Sequence, residues 1–213
     1  MENANLVIKR AKRSVATGFF LAGVTVGTLA PRLAEVKINT NSSDSSYGTA
    51  FAINSIGALL GFFLGAKAAQ RIGTRKSAGT VFYLMLLANF SFSLANNALM
   101  LAIVSINSGV VYSIFNVNMN SQGVLVEQRL KRSFIPRAHA AWSFGALLAG
   151  ITSSAVAPYL SVVTTLAIAD IFCAMVWIVM SRGLMPHQYD DQPRNDSSQL
   201  PHRTQIPSGT LVF

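Results

Sequence analysis

The sequence predicts an all-α integral membrane protein with six transmembrane helices, and two features of its composition carry that prediction. Of the 213 residues, 51% are hydrophobic and only 12% are charged, against about 25% charged residues in soluble domains. The charges are also unevenly placed, because long uncharged stretches alternate with short basic clusters. A soluble protein of this size would need charged outer faces on its helices, and these stretches offer none.

Six segments are long enough and apolar enough to cross a bilayer, which takes about 20 residues of helix. Their apolar runs are unbroken, whereas the strands of a membrane barrel would alternate. Charged side chains occur in them only at Lys67 and Asp170. The segments divide the chain into an N-terminus (1–13), a helical bundle (14–181) and a tail (182–213). The predicted spans are 14–31, 48–69, 78–95, 98–120, 139–158 and 161–181.

Lysine and arginine in the connections predict the orientation, because cytoplasmic loops carry an excess of both. Fifteen of the 17 basic residues fall at the N-terminus, after the second and fourth spans, and in the tail, whereas only Arg32 and Lys37 fall on the other side. Both termini are therefore expected in the cytoplasm. The net charge of +9 comes from basic residues at the ends of the spans, where they set the topology. The lipid bilayer is therefore the expected partner and nucleic acid is not.

Residues 186–213 change composition abruptly. Four prolines interrupt them, and they carry no apolar period. Such a segment cannot bury enough apolar surface to offset the entropy of ordering it. The sequence therefore predicts a disordered cytoplasmic tail.

Four primary amides lie close together in the stretch FNVNMNSQG at the end of the fourth span. Asn116 and Asn120 are four residues apart, as are Asn118 and Gln122, so each pair shares one face of a helix. The two faces are about 160–200° apart, so one cavity cannot take all four side chains. Amides in hydrocarbon are costly, which leaves two interpretations: hydrogen bonding between helices, or the lining of a polar pathway.

Asp170, near the middle of the sixth span, is a further candidate for the solute or proton pathway. A carboxylate in hydrocarbon is expected to be protonated or paired. It is either a proton site or a neutral acid bonded to a serine or asparagine of a neighbouring helix. The single cysteine, Cys173, predicts neither a disulfide nor a metal site, and no cofactor is expected.

Glycines at four-residue spacing mark helix faces that can approach a neighbour closely. The second span has Gly57, Gly61 and Gly65; the first has Gly23 and Gly27. The fifth span carries Gly145 and Ala149 at the same spacing. These stripes predict either tight packing or a sliding surface for conformational change. Aromatic residues near the span ends, Trp177 among them, are expected to anchor the helices at the membrane interface.

The connection after the second span, GAKAAQRIGTRK, resembles the loop signature of the major facilitator superfamily, G-x-L-A-D-R-x-G-R-R. Arg71, Gly73 and Arg75 match the first arginine, the second glycine and the final arginine of that signature. Gln70 stands where the signature has its aspartate.

A second region is similar to the fourth and fifth spans of one bacterial branch of that superfamily, sugar-permease-like or efflux-like. The branch has an Asn near the end of the fourth helix, then Val-Glu, a Pro and His-x-x-x-Ser-x-Gly. The resemblance covers about residues 14–182. The matching residues are Asn120, Val126, Glu127, Pro136, His139, Ser143 and Gly145.

The resemblance implies a secondary transporter of an unknown small solute in the inner membrane. Such transporters have two six-helix halves, so these six spans correspond to the N-terminal half. The chain would then be a truncated product, a half that pairs with a second copy, or a piece completed by a separate C-terminal half. Because Asn120 matches the family pattern, the pair Asn116 and Asn120 ranks first for the pathway.

Two other classes compete with a transporter. A membrane-embedded protease would need a serine nucleophile and a histidine deep in a later span, but His139 lies at a span end and the other histidines lie in the tail. An enzyme is therefore not expected. A non-transporting assembly protein or remnant stays as the alternative.

Overall fold

The computed structural model describes residues 2–190, and all the regular secondary structure in that range is helical. Three single turns of 3-10 helix begin directly after Leu29, Ser91 and Met180, and a fourth covers His187–Tyr189. The α-helices are α1 (Glu2–Leu29), α2 (Leu33–Asn39), α3 (Asp44–Ala52), α4 (Asn54–Ile72), α5 (Thr74–Ser91), α6 (Ala98–Leu130), α7 (Ile135–Val156) and α8 (Val162–Met180).

Five helical segments of residues 2–190 are long and apolar enough to cross a membrane. The fifth predicted span, 139–158, falls in α7, which has 22 residues but is not among the five. Its first turns hold Pro136, Arg137 and His139, which lower its apolar character. The segments are Asn5–Asn39, Asp44–Ile72, Thr74–Leu94, Ala98–Leu130 and Val162–Gly183.

Two helix pairs form the frame of the bundle. α1 packs most extensively against α7, and α4 packs against α6, while α5 lies against both α6 and α8. A β-carbon added to Gly23 would meet the backbone carbonyl of Trp142, and one added to Gly61 would meet that of Val110. Each of these helix pairs is therefore in backbone contact, which only a glycine permits.

The remaining glycines of the stripes lie on the same two contacts. On α4, Gly57 faces the backbone of Ile106, and Gly65 lies where a β-carbon would be 3.1 Å from the Cα of Ile114. On the α1–α7 contact, Gly27 faces Ala146 and Gly145 faces Phe20. Ser153 of α7 adds a hydrogen bond to the Thr28 carbonyl at 2.8 Å.

An aromatic cluster fills the core between α5, α6 and α8. The ring of Phe82 lies 5.2 Å from that of Phe115 and 4.8 Å from that of Trp177, between centroids. Trp177 is fully buried, and its indole N–H donates to the carbonyl of Gly79 at 3.1 Å. The expectation that Trp177 anchors the chain at the membrane interface is therefore wrong, because the core supplies its polar partner.

The connections that carry most of the basic residues gather at one end of the bundle, which we call the basic end. It holds Gly73 between α4 and α5, the turn from α6 to α7, and the segment 181–190 that follows α8. Leu184 and Met185 of that segment are buried, although the sequence predicts a disordered tail from residue 182. The rest of that predicted tail, 191–213, lies outside the described residues.

Candidate functional site

The pair Asn116 and Asn120 lies in an open groove between α4 and α6. The groove has a volume of about 430 Å³. Both amides are half-buried. The Asn120 side-chain N–H donates to the Asn116 carbonyl at 2.9 Å and to its Oδ1 at 2.7 Å. The lining residues are Ala58, Phe62, Tyr112, Ser113, Asn116, Val117 and Asn120.

Two polar atoms of this pair are available to a ligand. No hydrogen bond within residues 2–190 uses the Asn116 side-chain N–H or the Asn120 Oδ1. The groove therefore presents one donor and one acceptor beside the phenol of Tyr112. Trp142 of α7 donates its indole N–H to that phenol oxygen at 2.9 Å, so α7 fixes the position of Tyr112 at the groove.

The pair Asn118 and Gln122 is fully buried on the opposite face of α6. Asn118 donates to the carbonyl of Ile114 at 2.8 Å and to that of Gly65 on α4 at 3.4 Å. Its Oδ1 has no partner in the described part of the chain. This pair therefore joins helices and lines no open surface.

Gln122 makes three hydrogen bonds at the basic end. Its side-chain N–H donates to the Thr74 hydroxyl at 2.7 Å and to the Met185 carbonyl at 3.1 Å. The Met185 backbone N–H donates back to Gln122 Oε1 at 2.7 Å. One glutamine thus ties α6 to the start of α5 and to the segment 181–190.

Asp190 completes this network. Its carboxylate accepts from the Thr74 backbone N–H at 2.9 Å and from the Thr74 hydroxyl at 2.8 Å. A carboxylate at the first turn stabilises a helix, because the N–H groups there lack partners and the helix dipole is positive. The imidazole of His187 lies 2.9 Å from the same carboxylate. Sequence reasoning missed this contact, since residues 182–190 lack a regular apolar period.

The loop motif lies beside that network. Gly73 has φ of 81° and ends α4 in the left-handed region that favours glycine. Arg75 donates to the Arg182 carbonyl at 2.6 Å, and Arg71 is exposed. The three motif residues therefore gather at the basic end, away from the groove of Asn116 and Asn120.

Asp170 is separate from both amide pairs. It is 7% exposed and accepts from the side chain of Asn89 on α5 at 3.1 and 3.3 Å. It borders an apolar concavity of about 410 Å³ between α5 and α8. Of the two interpretations of Asp170, this geometry favours a carboxyl group bonded to a neighbouring asparagine. No group of three or more His, Cys, Asp or Glu within residues 2–190 could hold a metal ion.

Glu127, which belongs to the second resemblance region, holds the turn from α6 to α7. Its carboxylate accepts from the backbone N–H of Phe134 at 2.6 Å and from that of Ile135 at 3.0 Å. These donors are the first free N–H groups of α7, so Glu127 caps that helix. In the same region, the ring of His139 packs 4.9 Å from that of Phe19, between centroids.

Comparison with known proteins gives two findings. A family model described as the Major Facilitator Superfamily matches residues 15–209. A protein of Sinorhizobium fredii, named only as an uncharacterized transporter, is 29% identical over 136 residues. That match covers 64% of this chain and 36% of the relative, so the matched segment spans little more than a third of that protein.

Proposed function

The chain belongs to the major facilitator superfamily, and from that premise we propose that it is one six-helix unit of a secondary transporter for a small solute, with no enzymatic step. The observation that carries the proposal is the groove of Asn116 and Asn120. It is open, it offers a free amide donor and a free amide acceptor, and it lies on the helix that the family resemblance marks. Transporters of this superfamily place substrate between two six-helix units.

A second six-helix unit would cover this groove. The occupant is a second copy of the chain, a separate polypeptide, or the remainder of a longer chain. Uncovered amides facing lipid would cost several kcal/mol for each unsatisfied group. That cost favours assembly in the membrane.

We include α7 among the spans of this unit. Its 22 residues give a helix of about 33 Å, enough for a hydrocarbon core of about 30 Å. Backbone contact with α1 at Gly23, Gly27 and Gly145 supports a position inside the bundle. Six crossings would put both termini on the side of the basic end, and we assign that side to the cytoplasmic face of the inner membrane.

Single cysteines test this orientation. Ser43, before α3, and Ser133, between α6 and α7, are both outside the long helices. A membrane-impermeant thiol reagent added to intact cells should label Ser43→Cys and should label Ser133→Cys only after lysis. Labelling of both in intact cells would contradict the topology.

A thiol assay in the membrane tests the pathway. The native Cys173 is fully buried, so it gives little background. A charged, water-soluble thiol reagent should modify Asn116→Cys and Asn120→Cys in the assembled protein, because a solute pathway holds water. Leu87→Cys on α5, whose side chain is 63% exposed, is the control for a lipid-facing position and should stay unmodified.

The assembly state decides how that assay is interpreted. A solute that protects Asn116→Cys and Asn120→Cys from the reagent, without affecting Ser133→Cys, would support a transport pathway. Full modification in a strictly monomeric form, with no protection by any solute, would place these residues at an open surface. The non-transporting alternative would then replace the transporter.

A further inference from the structure

Three arginines surround a pocket at the basic end, between α1 and the turn that follows α8. The pocket has a volume of about 300 Å³. Arg10 and Arg13 are three residues apart on α1 and share one face of that helix, while Arg182 comes from the 3-10 turn Ser181–Gly183. All three side chains are exposed. The rest of the lining is Ser14, Val179, Met180 and Gly183.

Gly183 brings the third arginine to the other two. A β-carbon at this position would collide with the Ser14 hydroxyl and lie 3.3 Å from the Arg10 carbonyl oxygen. The turn after α8 therefore lies directly on the backbone of α1. That approach holds Arg182 against the pocket that Arg10 and Arg13 border.

Within residues 2–190, no ion pair compensates the charge of these arginines. The ion pairs among residues 2–190 join Arg32 to Glu35, Lys37 to Asp44 and His187 to Asp190. None of them includes an arginine of the pocket. Like charges gathered around one cavity repel each other, and a bound anion removes that repulsion.

Ser14 supplies a second, independent feature of a binding site. Ser14 is 3% exposed and lines the pocket. Its hydroxyl makes no hydrogen bond within the described part of the chain. This hydroxyl is therefore free to donate a hydrogen bond to an anion in the pocket that Ser14 lines.

The apolar side of the pocket indicates where its ligand comes from. Val179 borders the pocket and is 60% exposed, and Met175, one turn deeper on the same face of α8, is 58% exposed. These side chains form an apolar track that leads from the arginines toward the hydrocarbon core. A lipid could place its headgroup in the pocket and its acyl chains on this track, whereas a free phosphate ion would use only the pocket.

We infer that Arg10, Arg13, Arg182 and Ser14 bind the phosphate headgroup of an anionic phospholipid. Basic pockets between helices at the cytoplasmic side are suited to such headgroups. The inference depends on the position of the chain in a membrane and not on the transport of any solute.

Binding of a phosphatidylglycerol with a fluorescent acyl chain, measured by anisotropy on the full chain in an uncharged detergent, tests the site. Each arginine changed to glutamine should weaken binding by about fivefold, and the triple variant by roughly a hundredfold. Ser14→Ala should weaken it less than any arginine variant. Unlabelled phosphatidylcholine and inorganic phosphate should compete poorly.

The matched control removes three other exposed basic residues of the same end, as Lys131→Gln, Arg132→Gln and Arg137→Gln together. This variant should bind phosphatidylglycerol within about twofold of the native chain. An equal loss in both triple variants, at unchanged melting temperature, would mean that total charge decides binding and would overturn the site. Equal competition by inorganic phosphate would overturn the assignment to a lipid.

Discussion

Two pairs of amides lie within seven residues of α6, and they differ in what their hydrogen bonds join. Asn116 and Asn120 bond to each other and leave a donor and an acceptor facing an open groove. Asn118 and Gln122 are fully buried and bond to other helices and to the segment 181–190. A shift of two residues on one helix thus separates side chains that hold the bundle from side chains that can meet a ligand.

The largest expected loss of stability comes from forcing α4 away from α6. Gly61→Leu places a side chain where the carbonyl of Val110 touches α4, and overpacking of this kind costs about 1–3 kcal/mol or more. The hydrogen bond from Asn118 to Gly65 should break with it. We expect a large fall in the melting temperature of the detergent-solubilised protein.

The matched control for that change is Gly79→Leu on α5, where an added β-carbon has no atom within 4 Å. This variant should keep the native melting temperature to within a few degrees. A native melting temperature for Gly61→Leu would show that the packing of α4 against α6 does not depend on this contact.

The next effect should come from the buried glutamine. Gln122→Leu leaves the Met185 backbone N–H without its acceptor and the Met185 carbonyl without one donor, and an unsatisfied buried polar group costs about 1–3 kcal/mol. The melting temperature should fall clearly, and proteolysis after α8 should become faster. If Gln122→Leu unfolds like the native protein, the docking of segment 181–190 does not depend on this residue.

A smaller change is expected at the other member of the buried pair. Asn118→Leu removes the bonds to Ile114 and Gly65, but it also removes an Oδ1 that has no partner within residues 2–190. These two effects oppose each other, so we expect a net loss of stability of about 0–1 kcal/mol. A loss as large as that of Gln122→Leu would mean that Asn118 bonds more strongly across the helices than its 3.4 Å contact with Gly65 indicates.

The smallest effect on stability should come from the open pair. Asn120→Ala removes bonds that stay within α6, and changes at such positions usually stay within about 0.5 kcal/mol. Its melting temperature should equal that of the native chain, and any change in solute protection of Asn116→Cys would then reflect binding. A strong destabilisation by Asn120→Ala would remove the contrast between the two pairs.

Five of the six predicted spans coincide with helices long and apolar enough to cross a membrane, because hydropathy marks the part of a helix that can lie in hydrocarbon. The predicted span 98–120 starts where α6 starts, but α6 continues to Leu130. The first span was predicted from residue 14, whereas α1 begins at Glu2. Polar residues outside the bilayer continue a helix at little cost, and hydropathy cannot detect that.

The family match confirms the resemblance to the major facilitator superfamily. That resemblance could be seen in the sequence because short motifs in the connections carry it. The site was only partly predictable. Spacing alone separates the two amide faces, but it does not say which face is covered. That depends on contacts between residues distant in sequence, such as Gln122 with Met185.

The backbone contact between α1 and α7 has a consequence for the order in which the bundle is built. Gly23 of α1 meets Trp142 of α7, and the ribosome makes these residues more than a hundred positions apart. At about 5–20 residues per second, α7 appears on the order of ten seconds after α1. During that interval the glycine face of α1 is open to lipid or to the insertion machinery. The partner residues of α4 and α6, such as Gly61 and Val110, are only about fifty positions apart, so the α4–α6 pair can form before the α1–α7 pair.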